Sequence, residues 1–203
     1  MRCVFRLKVE GGENIGEGGL VFAPNHVSYL DPFAFAAAMP KPILERTYWT
    51  GLKGVAFHNP FNAAVSRLAK TIPVDPEKGA FSALIASAAV LGRGKNLIWF
   101  AEGGRSPSGE LHPLREGIGV LLEQCGASVV PVYIEGTVRA MPVGRAFPRP
   151  VSVIVIFGTP LTPEELRNQG EGERPQEKIA KGLHAAFATL QEKKKKERRS
   201  PPP

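Results

Sequence analysis

The sequence predicts an α/β fold: a mixed, mainly parallel sheet flanked by helices. Three observations predict it. Residues 96–101 (NLIWFA), 128–134 (SVVPVYI) and 151–157 (VSVIVIF) are near-continuous apolar runs, the type of strand that is covered on both faces. Stretches with apolar residues at helical spacing separate such runs, and strands alternating with helices favour this architecture. A polar loop directly follows the apolar run 20–24 and a glycine-rich loop directly follows 96–101, where ligand loops lie in open α/β sheets.

The elements follow in order. Residues 2–10 alternate loosely and read as an edge strand, and 11–19 as a Gly/Glu turn region. Residues 20–24 (LVFAP) read as a central strand. Asp31 and Pro32 open a helix over 33–39, with Asp31 suited to the N-cap and Pro32 to the first helical position. Residues 46–50 (RTYWT) are β-rich. Asn59-Pro60 starts a helix over 61–69, and 71–75 is a short extended piece. A helix after Asp75-Pro76 carries Phe81, Leu84, Ile85, Ala88 and Leu91 as its apolar face. A glycine- and serine-rich loop over 102–112 precedes a helix at 117–124. Pro131 requires a bulge or an unpaired position in its strand. Thr162-Pro-Glu-Glu reads as a capped helix start, and the last helix runs from about Pro175, burying Ile179, Leu183, Phe187 and Leu190.

At 203 residues the chain reads as one domain, 1–192, with a basic, proline-ended disordered tail, 193–203. The net charge is +7, but Lys193 to Arg199 (KKKKERR) holds six basic residues and one acid, so that run alone supplies +5. Such a run is usually solvated, or it touches anionic lipid. Basic residues are not interleaved with aromatics as a nucleic-acid stacking platform requires, so no nucleic-acid partner is expected. Cys3 and Cys125 suggest neither a metal site nor a disulfide framework, and a reducing cytoplasm is the default. The longest uncharged window, 79–92, has 14 residues, and spanning a bilayer takes about 20. No transmembrane helix is expected, and this window reads as a buried helix. Residues 48–61 (YWTGLKGVAFHNPF) read either as an interfacial flap or as a core segment. His58, His112 and His184 have no motif around them.

Two loops carry chemistry. In Asn25-His26-Val-Ser-Tyr-Leu-Asp31, a carboxylate near an imidazole can set its tautomer and stabilise its protonated form, as a general base needs. Five helical steps would leave the pair about 140° apart, so they must meet across a turn. The alternative is an ordinary helix start with Asp31 as cap. In Phe100-Ala-Glu-Gly-Gly-Arg-Ser106, Gly103 and Gly104 allow close backbone approach. Arg105 can grip phosphate bidentately, Ser106 adds a donor, and Glu102 can orient Arg105 or accept from a substrate hydroxyl. The alternative is a glycine-rich turn with a surface ion pair. A base and an anion grip in one small domain suit transfer onto a hydroxyl of a phosphate-bearing acceptor.

Taken together, residues 10–160 resemble the glycerolipid acyltransferases, in particular the 1-acylglycerol-3-phosphate acyltransferases. Asn25 to Asp31 is similar to that family's N-H-x-x-x-x-D motif. Residues 71–75 (TIPVD) lie where its second block ends, Phe100 to Ser106 is similar to F-P-E-G-T-R-S, and 130–134 (VPVYI) is similar to V-P-V-x-I. The resemblance implies that His26 is the base and Asp31 its orienting partner. The acceptor hydroxyl would attack the thioester of acyl-CoA or acyl-carrier protein directly, with no other cofactor and no metal. Asn25, Ser28, Glu102, Gly103, Gly104, Arg105 and Ser106 would line the acceptor site. The product would be phosphatidic acid, made at the cytoplasmic face of a membrane by a peripheral protein.

Departures from the family pattern bear on the acceptor. Pro76 stands where the second block usually ends in a phosphate-binding Arg, and Ala69 where that block begins with Gly. Ala101 and Gly104 replace the Pro and Thr of the third block. The missing Arg makes another lysolipid or lipid alcohol the alternative acceptor, unless Lys70 or Lys78 takes over its role. The N-terminal hydrophobic helices common in the family are not expected in the residues before the first motif, which implies either peripheral docking or one domain of a larger lipid enzyme. A hydrolase using the same His–Asp pair lacks a G-x-S-x-G nucleophile elbow. An inactive lipid-binding module is the remaining class.

Overall fold

The computed structural model describes residues 6–16, 18–75, 81–106, 108–142 and 147–199. In chain order the strands are β1 (Arg6–Glu10), β2 (Val21–Pro24), β3 (Thr47–Leu52), β4 (Thr71–Val74), β5 (Asn96–Ile98), β6 (Val129–Glu135) and β7 (Ser152–Phe157). The helices are α1 (Asp31–Ala38), α2 (Lys41–Leu44), α3 (Lys53–Ala56), α4 (Pro60–Leu68), α5 (Phe81–Leu91), α6 (Gly117–Cys125), α7 (Thr137–Ala140), α8 (Pro163–Gln169) and α9 (Pro175–Arg199).

The strands form one sheet in the order β1-β7-β6-β2-β5-β3-β4. Every neighbouring pair is parallel except β6 with β7. The fold is therefore the mixed, mainly parallel α/β sheet that the apolar runs predict. Because β2, β3, β4, β5 and β6 run the same way, their carboxyl ends lie along one edge. Register places Phe22 beside both Ile98 and Val130. The loops after β2 and β5 therefore emerge side by side.

Side chains alternate across the pleat. Phe22 enters one core with Phe35, Trp49 and Phe157, packed edge to face at centroid separations of 5.7–6.2 Å. Val21 and Ala23 enter the opposite core with Leu97, Ile118, Leu122, Leu183 and Phe187. Pro131 lies just beyond the last β6–β7 pair, Val132 with Phe157, and its carbonyl accepts from Gly158 N at 2.8 Å. Its missing N–H thus falls where the β7 ladder has already ended. Thr162 caps α8 in a full capping box with Glu165.

Three expectations change. First, Leu91 of the expected α5 face is buried and Leu84 and Ala88 pack against the same core, but α5 buries Ala83 and Ser87 beside them, while Phe81 and Ile85 are 72% and 56% exposed. Ala83, Ser87 and Leu91 are four residues apart and share a face. The small ones let α5 approach the sheet, and this turns the bulky pair outward. Second, residues 48–61 divide between both alternatives: Trp49 is buried on β3, whereas Leu52, Val55 and Phe61 are exposed.

Third, the run expected as a disordered tail from residue 193 continues as α9 through Arg199. Lys194 is buried and pairs with Glu10 at 2.6 Å and Glu197 at 3.0 Å. Desolvation alone would lower the Lys194 pKa, but these partners outweigh it and raise it; Glu10 is lowered in the same way against its own burial. The pair's contribution is therefore lost as pH falls through the Glu10 value, and again as pH rises through the Lys194 value. Lys194→Ala is expected to cost about 1–3 kcal/mol near neutral pH. An unchanged urea midpoint would show that the contact carries no net stability.

Candidate functional site

The loop after β2 is built around the Asp31 carboxylate. Asp31 is fully buried as the first residue of α1, and Leu30, not Asp31, is the N-cap. Instead of capping the helix, Asp31 Oδ2 accepts from Val27 N at 2.6 Å and Ser28 N at 2.7 Å, and lies 3.0 Å from His26 Nδ1. The cap reading of Asp31 is thereby replaced by the turn-closing one. A carboxylate beside Nδ1 fixes the proton there and leaves Nε2 as the basic nitrogen. No described residue bonds Nε2. The imidazole packs on Phe100 with ring centroids 4.3 Å apart, and its side chain is 18% exposed. Asp31 Oδ1 is buried without a described partner.

The two loops are bonded to one another through backbone. His26 N donates to Glu102 Oε1 at 2.7 Å, and Ser106 N donates to His26 O at 2.7 Å. Glu102 Oε2 accepts from His112 N at 3.1 Å. Burial raises the Glu102 pKa above its ordinary 4.5, outweighing the two amide donors that lower it. A folded-state value above the unfolded one adds stability below pH about 4.5, and this is lost as pH rises through the folded value. Glu102→Ala should cost about 2–4 kcal/mol by stranding two amides. It should also flatten that pH dependence, as urea unfolding between pH 4 and 8 will show; equal slopes for both proteins would contradict the burial effect.

The motif residues thus divide into two groups. Exposed or half-exposed at the site are His26, Gly103, Gly104 and Arg105. The others are frame, although the motif suggests acceptor contacts for them. Asn25 is buried with its amide bridging Ile134 O at 3.1 Å and Ile134 N at 2.6 Å. Ser28 is buried with its hydroxyl toward Met141 O at 3.4 Å. Glu102 clamps two backbones, and Ser106 is buried against Ser108 Oγ at 3.1 Å. Polar side chains buried beside loops are taken by orphan backbone groups, because leaving those groups unpaired is costly.

Arg105 does not meet Glu102. Its guanidinium stacks on the Tyr29 ring, 3.5 Å from the centroid. Tyr29 occupies an unspecified position of the first motif, so sequence reasoning missed it. Arg115 was missed as well: it runs over Gly103, whose φ of 71° is left-handed. Open space surrounds Gly104, so a side chain fits there and the departure from Thr costs no packing. Pro76 and Lys78 lie outside the described residues. Among the described residues no three His, Cys, Asp or Glu side chains gather into a metal site.

Comparison with known proteins follows the same lines. A family model described as Acyltransferase matches residues 6–135. Over 145 residues the chain is 26% identical to the chloroplastic 1-acyl-sn-glycerol-3-phosphate acyltransferase LPAT1 of Arabidopsis thaliana, covering 69% of this chain and 39% of that protein. The chloroplastic 1-acyl-sn-glycerol-3-phosphate acyltransferase BAT2 of Brassica napus is likewise 26% identical over 145 residues, with 69% and 40% covered. The chain thus spans about two fifths of the length of these curated relatives. The crystal structure of the 1-acyl-sn-glycerophosphate acyltransferase PlsC from Thermotoga maritima superposes with a TM-score of 0.72 at 22% identity, covering 93% of this chain and 72% of that one. That likeness shows the fold.

Proposed function

Since this chain belongs to the Acyltransferase family, we propose that it transfers a fatty acyl group from acyl-CoA or acyl-carrier protein to the free hydroxyl of a lysophospholipid. The acceptor we favour is 1-acyl-sn-glycerol 3-phosphate, giving phosphatidic acid. The observation that carries this reading is the His26–Asp31 pair, joined by backbone bonds to the loop that bears Arg105. In the proposed reaction His26 Nε2 takes the proton of the acceptor hydroxyl as its oxygen attacks the thioester carbonyl carbon. Collapse of the tetrahedral species breaks the C–S bond, and the imidazolium returns the proton to the leaving thiolate. Asp31 stabilises the imidazolium between the two transfers.

The names of the relatives support a phosphate-bearing lysolipid as acceptor. Exposed Leu52 and Val55, at the carboxyl end of β3 and so on the same sheet edge as His26, support contact with lipid at a membrane surface. Among the described residues no helix is long and apolar enough to cross a membrane. The test is an acyl-CoA assay with a panel of lysolipids, read for thiol release and for esterified product together. Both signals in equal amounts with the phosphomonoester acceptor are expected. Thiol release without ester would instead support the hydrolase reading, and lipid binding with neither signal would support an inactive binding module.

A further inference from the structure

The second block lacks its usual arginine at Pro76, which leaves a phosphomonoester short of one cation. At neutral pH a phosphomonoester carries about 1.5–2 negative charges, more than Arg105 alone can neutralise. The structure removes one candidate to replace the missing arginine. Lys70 precedes β4, so it sits at the amino ends of the parallel strands, away from His26. Its ammonium donates to the Glu45 carbonyl and lies over the Tyr48 ring. Lys53 is at the correct edge, but its charge is matched by Asp75 at 3.3 Å.

Arg115 is placed differently. Its backbone N donates to Ala101 O at 2.8 Å, which fixes it alongside the loop that carries Glu102 to Arg105. Its stem crosses Gly103 so closely that a Cβ there would stand 2.9 Å from Arg115 Cγ and 3.2 Å from Nε. The missing side chain at Gly103 is what lets the arginine lie against this loop, two residues from Arg105. Among the described residues Arg115 has no carboxylate partner. The adjacent Glu116 is held by Arg174 at 2.6 Å, and both Glu102 oxygens face backbone amides. Arg105 is held by an uncharged ring. Two guanidinium groups without a carboxylate partner among the described residues therefore flank one exposed Gly–Gly backbone beside the proposed base.

We propose that Arg115 is the second cation of the acceptor-phosphate site and takes the role of the arginine absent at Pro76, making this chain selective for a lipid phosphomonoester. This rests on the acceptor reading above. It also separates the two third-block glycines: Gly103 makes room for Arg115, while Gly104 only leaves the backbone open.

The test measures acyl transfer by the full chain, its Arg115→Ala and its Arg115→Lys variants. The acceptors are 1-acyl-sn-glycerol 3-phosphate and the phosphate-free 1-acylglycerol. Arg115→Ala should raise KM for the phosphomonoester roughly 10- to 100-fold, as expected for loss of a charge-assisted contact. The donor KM, kcat and the KM for 1-acylglycerol should stay within about twofold, and Arg115→Lys should recover part of the loss. Calorimetric titration with a short-chain lysophosphatidic acid should show the same loss of affinity whether or not turnover is measurable. If the wild type acylates and binds the phosphomonoester and Arg115→Ala does so equally well, the Arg115 assignment fails while the acceptor reading stands. An equal KM rise for both acceptors would make Arg115 a structural residue and overturn its role as a phosphate cation. If the wild type neither binds nor acylates the phosphomonoester, the acceptor reading falls and Arg115 with it.

Discussion

His26→Ala is expected to lower kcat by about 10²–10⁴-fold while leaving the fold intact. The backbone of His26 and its side chain have separate tasks. Its N–H and C=O hold the two loops together through Glu102 and Ser106, and alanine keeps both bonds. Its ring contributes the contact with Phe100 and the basic nitrogen. Circular dichroism and the urea midpoint should therefore move little, while single-turnover acyl transfer collapses. Activity within tenfold of wild type would end the base assignment. A collapse of both structure and activity would instead show that the imidazole is part of the frame.

Asp31→Asn should produce a loss of comparable size, and a different kind. In the parent, Oδ2 receives two backbone N–H groups and faces His26 Nδ1, while Oδ1 is buried without a described partner. Asparagine can satisfy the two amides only by keeping its oxygen in the Oδ2 position. Its NH₂ then occupies the partnerless site, stranding a buried donor at a cost of about 1–3 kcal/mol. The imidazole keeps its orientation but loses the charge that stabilises its protonated form, for which a drop of about 10³–10⁴-fold in kcat is expected. Asp31→Asn should thus lose activity and some stability, whereas His26→Ala loses activity alone. Near-normal kcat in a folded Asp31→Asn protein would reduce Asp31 to a turn-closing residue.

Much of this arrangement is legible in the residue order. The continuous apolar runs reveal strands, because a strand covered on both faces can carry few polar positions. The motif loops are visible because Asn, His, Asp, Gly and Arg cluster abruptly after such runs. The helices α4, α8 and α9 are marked by local signals: Asn59 accepting from Asn62 N, the Thr162–Glu165 box and the regular stripe from Ile179. The face of α5 is misread at Phe81 and Ile85, though not at Leu84, Ala88 and Leu91, because apolar residues extend around the helix and hydrophobicity alone does not say where the buried face ends. The tail is misread for the converse reason. A run of lysines resembles a solvated end, and Glu10, the partner that buries Lys194, is 184 positions away.

The sequence by itself determined the class of fold, and it marked the two loops that carry His26 and Arg105, the proposed base and anion grip. These depend on local composition and on which residue types can carry a proton or bind an anion. Only the tertiary structure decided which polar motif residues face the site and which hold it up. Asn25 belongs to β6, Glu102 to two loop backbones and Arg105 to Tyr29, because each satisfies a partner that the parallel register brings beside it. The placement of Arg115 over Gly103 has the same origin. Segments twelve positions apart meet only when strand β5 and helix α6 pack into one core, and no spacing rule in the chain announces that contact.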